Sequence, residues 1–157
     1  MELKDYRYHH YLIRIEGRRV TSVKKENERG DMIDSVTFKA PATTSKLPKI
    51  YLVKHKSDII YVGATSQGIQ NRLRQGLQAS GKGGYYGYGF KELNQVDLFV
   101  WFFPNEESKI TEAIEAEIVY LIRNKTGKWP RHQTEIHFHK ATKKEKEIAD
   151  LIYKIVK

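Results

Sequence analysis

Two tyrosines, an arginine and a glutamate are the side chains of this sequence whose types and spacing could support chemistry. Tyr51 and Tyr61 are ten residues apart in β-forming segments, so they can occupy neighbouring positions on one face of a hairpin. Gly63 follows where the chain must leave the second strand. Arg72 lies in a predicted helix, and Glu117 lies in an otherwise apolar one. Phenols, a guanidinium and a carboxylate can together donate and accept protons, bind anions and hold a cation.

The helix that carries Glu117 also carries Glu115, so the functional carboxylate has to be chosen between them. Ala113, Ile114 and Leu121 stand three or four residues from Glu117, which indicates an apolar face around it. A carboxylate on such a face is unfavourable unless it has a partner or a metal ion. Glu115 falls nearer the polar margin, where a surface charge is ordinary. We therefore expect Glu117 to be the functional carboxylate.

The hydrophobic pattern around these residues predicts an α/β fold. In this fold a small mixed or antiparallel β-sheet is flanked by helices and has an N-terminal β extension. The continuous apolar run at 97–103 is typical of a buried central strand. Prolines at 41 and 48 bracket a loop, which divides the chain into a β extension (1–47, part of the same domain), a core (48–140) and a C-terminal helix (141–157). Strands are predicted at 6–16, 36–38, 49–54, 58–62, 97–103 and within 129–139, and helices at 69–79, 109–124 and 143–156, the last capped by Thr142.

Composition limits the kind of protein this can be. With 157 residues the chain suits one domain, and the absence of cysteine excludes disulfides, thiolate metal sites and cysteine nucleophiles. The N-terminal segment MELKDYRYHH lacks the apolar stretch of a signal peptide, and no apolar run is long enough to cross a bilayer. We expect a cytoplasmic protein without a membrane partner. The net charge of +9 favours a polyanionic partner, with nucleic acid first.

Four motifs, in this order, resemble those of the GIY-YIG nuclease family. KIY at 49–51 and YVG at 61–63 are similar to the two tripeptides of that family, and Arg72 follows about one helix later. The segment AIEAEIVYLIR resembles the helix that presents a single catalytic glutamate, and WPRHQ resembles the segment after it, with Gln133 in place of an asparagine. The resemblance covers residues 49–133. Lys49 and Ala64 depart from the pattern of the family.

The resemblance implies a metal-dependent endonuclease that hydrolyses double-stranded DNA with one Mg²⁺ or Mn²⁺ ion. Glu117 would hold the metal, Arg72 would clamp the scissile phosphate, and Tyr51 or Tyr61 would help to take a proton from the attacking water, with Tyr51 preferred as the base. Cutting two strands would suit a homodimer of the small restriction or phage type. The alternative is a nucleic-acid-binding module of the same fold with weak or no catalysis.

Further DNA contacts are predicted outside these motifs. The segment SGKGGYYGYG (80–89) interleaves glycine, lysine and tyrosine, as single-strand binders do, so Lys82, Tyr85 and Tyr86 are expected to touch DNA, and Tyr88 with them. Arg74 and Gln133 complete the predicted contacts. His137 and His139 alternate on a predicted strand, but a zinc site would need a third and a fourth ligand, so we expect none there.

Overall fold

Six strands pair antiparallel into one sheet in the computed structural model, which describes residues 7–157. Along the sheet the order is β3-β2-β1-β6-β4-β5, so β5 and β3 form the edges. The strands are β1 (Tyr8–Glu16), β2 (Arg19–Glu26), β3 (Met32–Asp34), β4 (Lys49–His55), β5 (Asp58–Thr65) and β6 (Gln95–Phe102). The helices are α1 (Ile69–Gln78), α2 (Ser108–Thr126) and α3 (Lys143–Val156).

The predicted α/β class and most of the predicted elements are confirmed. Residues 97–102 of the apolar run fall in β6, which lies between β1 and β4. Thr142 caps α3 with a capping box that includes Glu145. Two expectations are wrong: the chain at 129–139 is irregular, and the strand at 36–38 lies instead at Met32–Asp34. Tyr6, the first residue of the first predicted strand, is outside the described residues.

The two faces of the sheet bury separate apolar clusters. Alternate residues of β4 point to opposite faces, so Tyr51 and Val53 join the cluster under α1, whereas Ile50 and Leu52 join the cluster under α2 and α3. In the resulting three layers α1 lies on one face of the sheet, and α2, which packs against the edge strand β5, lies on the other. Side chains from both helices can therefore meet around this edge. Within residues 7–157, no helix is long and apolar enough to cross a membrane.

Lys49, at the start of β4, is a fully buried cation. Its ammonium donates hydrogen bonds to the carbonyl oxygens of Thr44 at 2.6 Å, Leu47 at 2.8 Å and Gln67 at 2.9 Å. These bonds use all three ammonium donors and tie the loop before β4 to the chain between β5 and α1. Burial lowers the pKa of Lys49 to about 8. Lys49, one of the residues that depart from the GIY-YIG pattern, therefore has a structural role at the start of the β4–β5 hairpin.

Replacing Lys49 by methionine keeps the length of the side chain but removes the three donors. We expect Lys49→Met to lower the free energy of unfolding by about 2 kcal/mol, because the three carbonyl groups lose their partner in a largely buried place. Urea denaturation measures the change. Lys125→Met, at an exposed position in the last turn of α2, serves as the matched control and should change stability by less than about 0.5 kcal/mol. Equal stability of the two variants would contradict a structural role for the buried ammonium.

Candidate functional site

The hairpin β4–β5 places the two predicted tyrosines side by side. Tyr51 lies opposite Gly63 in the strand register, and Tyr61 lies opposite Val53. The two tyrosine rings thus share one face of the sheet on a diagonal, with their centroids 5.8 Å apart. A Cβ atom on Gly63 would lie 2.5 Å from Cζ of Tyr51. Glycine is required there because the Tyr51 ring crosses the backbone of β5.

A third phenol, Tyr88, completes the group. Its hydroxyl lies 2.8 Å from the hydroxyl of Tyr51, and the Tyr88 side chain is 2% exposed. A Cβ atom on Gly76 would lie 2.1 Å from the Tyr88 ring, so a glycine in α1 makes room for it. The expectation that Tyr88 touches DNA from a flexible loop is wrong, because the residue belongs to the core. Burial raises the pKa of Tyr51, Tyr61 and Tyr88 above the usual value for tyrosine.

Arg72 extends from α1 between the tyrosines. Its guanidinium lies 4.9 Å from the centre of the Tyr88 ring, which is a cation–π distance, and it donates a hydrogen bond of 2.9 Å to the hydroxyl of Tyr85. These contacts use one side of the group and restrict its orientation. The planar fork of an arginine held in this way suits two oxygens of one phosphate.

The glutamate beside these groups is Glu115. Both Glu115 and Arg72 line a cavity of about 430 Å³, whereas Glu117 is not among the residues that line it. Because each helical residue advances by about 100°, two residues turn Glu117 roughly 200° away from Glu115. The expectation that Glu117 faces the site is therefore wrong, because its side chain lies on another side of α2. Glu115 shares its side of α2 with Thr111 and Ile118, which are both buried.

The cavity joins segments that are far apart in the sequence. Strands β4 and β5 supply the two tyrosines, α1 supplies Arg72, α2 supplies two glutamates, and the chain after α2 supplies a glutamate and two histidines. The residues that line it are Tyr51, Tyr61, Gly63, Ala64, Arg72, Glu112, Glu115, Glu135, His137 and His139. The two histidine rings lie 6.2 Å apart, although the strand predicted for them is absent.

Charge is unevenly distributed in this cavity. Burial first, and then the neighbouring carboxylates of Glu112 and Glu135, raise the pKa of Glu115 to about 7. The residues that line the cavity therefore include three glutamates and a single arginine, Arg72. A phosphate would be repelled by these carboxylates unless a cation lay between them.

A divalent cation fits this chemistry. Glu115 offers a carboxylate oxygen, which Mg²⁺ and Mn²⁺ favour, and Glu112 and Glu135 add negative charge to the same cavity. Among residues 7–157, no three histidine, aspartate or glutamate side chains are grouped closely enough to hold a metal ion by themselves. Water and a phosphate oxygen would therefore have to complete the coordination shell, as is usual for Mg²⁺.

Gln133, predicted to contact DNA, instead fastens the free edge of the sheet. Its side-chain oxygen accepts a hydrogen bond from the Val62 amide, and its side-chain nitrogen donates one to the Val62 carbonyl, both at 3.0 Å. Beside it, the amide of His132 donates to the carbonyl of Ile60 at 2.9 Å. Both amide atoms of Gln133 are thus used inside the protein, which gives this residue a structural role.

The other predicted DNA contacts lie around a neighbouring cavity of about 440 Å³. Arg74, Lys82 and Tyr85 line it, at the end of α1 and in the glycine-rich segment that follows. Tyr86 is 69% exposed and packs against Gly81. Through its hydroxyl, Tyr85 connects this cavity to Arg72. These exposed cationic and aromatic groups are available to a ligand that also reaches the glutamates.

Comparison of the chain with known family models, with curated proteins and with solved structures finds no match.

The pKa of Glu115 has a measurable consequence for stability. Because folding raises this pKa from 4.5 to about 7, the folded protein binds the proton more tightly, and stability is lost as pH rises through this range. Glutamine resembles the neutral acid. We therefore expect the free energy of unfolding of Glu115→Gln to be about 2 kcal/mol higher than that of the unmodified protein at pH 8, and equal to it near pH 4.

Urea denaturation at the two pH values measures this difference. Glu117→Gln, on the same helix but outside the cavity, is the matched control and should show no such gain. A Glu115→Gln protein that is less stable than the parent at pH 8 would show that the carboxylate is held by favourable partners rather than strained.

Proposed function

We propose that this protein is a metal-dependent endonuclease of the GIY-YIG type that hydrolyses DNA phosphodiester bonds. The observation that carries the proposal is the cavity in which Tyr51, Tyr61, Arg72 and Glu115 meet, although they come from four separate elements. The motif order in the sequence and the net charge of +9 support the same function. In this proposal Glu115 takes the metal-binding role that the resemblance implied for Glu117.

The proposed roles follow from the chemistry of each group. Glu115, with support from Glu112, would hold one Mg²⁺ or Mn²⁺ ion, and Arg72 would bind the non-bridging oxygens of the scissile phosphate. When bound, the cation would neutralise phosphate charge and lower the pKa of water. Arg74, Lys82, Tyr85 and Tyr86 would contact the flanking DNA. A homodimer would bring two sites to the two strands.

The two tyrosines receive different roles. Tyr51 is 1% exposed and its hydroxyl bonds to that of Tyr88, so it is suited to positioning rather than to contact with water. Tyr61 is partly exposed and faces the same cavity. Since burial raises the pKa of both, the phenols stay protonated at neutral pH and act as hydrogen-bond donors. We assign to Tyr61 the hydroxyl that orients the attacking water, and to Tyr51, which was preferred as the base, a positioning role.

A plasmid assay tests the function. Supercoiled DNA is incubated with the protein and Mg²⁺ or Mn²⁺, and nicked and linear products are measured over time. We expect Glu115→Gln and Arg72→Ala to lower the rate by about a hundredfold or more, because each removes a charge needed in the transition state. Glu117→Gln has the same chemistry at a position two residues away and should keep nearly full activity.

The outcomes separate the proposal from its alternatives. If Glu117→Gln abolishes cleavage and Glu115→Gln does not, the assignment of the carboxylate is overturned. If the unmodified protein binds DNA but cuts no DNA or structured RNA with either metal, the chain is a nucleic-acid-binding module of this architecture.

The tyrosine roles predict a graded result. Tyr61→Phe should lower the nicking rate by about a hundredfold with little change in stability, since it removes a donor at the reacting water. Tyr51→Phe should lower the rate by about tenfold and also reduce thermal stability, because Tyr88 loses a buried hydrogen-bond partner. Rates and melting temperatures are measured together. A larger rate loss in Tyr51→Phe than in Tyr61→Phe would reverse the two roles.

A further inference from the structure

A third cavity lies at the other end of the β5 edge. It has a volume of about 360 Å³, within the range of roughly 300–1,000 Å³ that small-ligand sites occupy. The β4–β5 turn, the ends of α2 and α3, and the chain after α2 enclose it. It shares no lining residue with the cavity that contains Glu115.

The floor of this cavity is apolar and its rim is cationic. Ile60, Ile122 and Tyr153 are buried beneath it. At the rim stand Lys128, Arg131 and Lys157, with Asp58 as the single carboxylate among the residues that line it. Three cations to one carboxylate, above an apolar floor, suit a ligand that has both a flat apolar part and an anionic part.

Trp129 supplies a flat surface in the same cavity. Its side chain is 39% exposed, unlike that of Trp101, which is fully buried. The Trp129 ring is held in place by the Arg123 guanidinium, 5.7 Å from the ring centre, and by the Tyr120 ring at 5.8 Å. An indole that is fixed and yet accessible can stack on a base with little loss of its own freedom.

The carboxylate of Asp58 adds a feature that an anion site alone would not need. A carboxylate repels phosphate but accepts hydrogen bonds from the amino and imino groups of a nucleobase. The cavity thus offers an aromatic surface, an acceptor and three cations within one enclosure.

We propose that this cavity binds a nucleotide, with the base on Trp129 and beside Asp58, and the phosphate held by Lys128, Arg131 and Lys157. The inference goes beyond the proposed hydrolysis and does not depend on it. Such a nucleotide can be a free mononucleotide or one unit of a DNA strand that runs along the β5 edge.

Nuclear magnetic resonance of the full chain tests this directly. The protein has two tryptophans, so a ¹⁵N-labelled sample gives two indole signals, and Trp129→Phe assigns them. Inorganic phosphate, a deoxynucleoside monophosphate and a short single-stranded oligonucleotide are titrated without divalent metal. We expect the nucleotide and the oligonucleotide to shift the Trp129 signal, while the signal of buried Trp101 stays in place.

Variants locate the binding. Arg131→Gln should weaken the nucleotide affinity measured at Trp129 by about tenfold, because one phosphate contact is lost. Arg29→Gln, an exposed arginine between β2 and β3, is the matched control and should bind as the parent does. Arg72→Ala should also bind normally at Trp129 while losing nicking, so a failure here and a failure of the proposed nuclease activity are distinguishable.

Three results would overturn the proposal: no shift at Trp129 with any nucleotide, an equal shift with phosphate alone, or unchanged affinity in Arg131→Gln. The two sources of the nucleotide give different titrations. Oligonucleotide affinity at least about tenfold above that of the mononucleotide indicates a unit of a strand, and equal affinities indicate a free nucleotide.

Discussion

The close approach of Tyr51 to the backbone at Gly63 is the contact on which the rest of the site depends. The ring can cross β5 only because residue 63 has no Cβ, and the register of the hairpin puts the two residues opposite each other. From there the Tyr51 hydroxyl reaches Tyr88, whose ring in turn requires Gly76. Arg72 rests on Tyr88. The position of the Arg72 guanidinium on α1 therefore depends, through a series of packed aromatic rings, on the geometry of the β4–β5 hairpin.

The charges of the cavity work against the stability of the fold. Glu115 is held in an environment that favours its neutral form, beside two further carboxylates. A protein selected for stability alone would place an uncharged side chain at this position, and polar groups that are unfavourable for folding are concentrated where function needs them. Lys49 differs, because its buried charge is satisfied by three carbonyl groups. Glu115 is partly buried, and the carboxylates beside it disfavour its charge.

Local patterns predicted most of the elements and half of the site. The spacing of Tyr51 and Tyr61 was sufficient because a hairpin is a local structure, whereas Gly63, expected where the chain leaves the strand, lies inside β5. The choice of Glu117 failed because α2 packs against both β5 and α3, so it is apolar around much of its surface and periodicity does not select one side. Tyr88 and Gln133 were misassigned because their partners, Tyr51 and Val62, are 37 and 71 residues away in sequence. Such contacts are set by tertiary packing.

The side chain of Gln133 acts on β5 as the backbone of another strand would. It satisfies both the amide and the carbonyl of Val62, and the amide of His132 satisfies the carbonyl of Ile60, so backbone groups through which an edge strand could pair with a neighbour are occupied. At the opposite edge, β3 has three residues and offers little to pair with. The sheet is thus protected from growth by strand addition at β5 and offers only a short edge at β3. Among the described residues, assembly through side-chain surfaces is therefore favoured over sheet extension, and it can leave the mouths of the cavities along β5 free for a long polymer to pass.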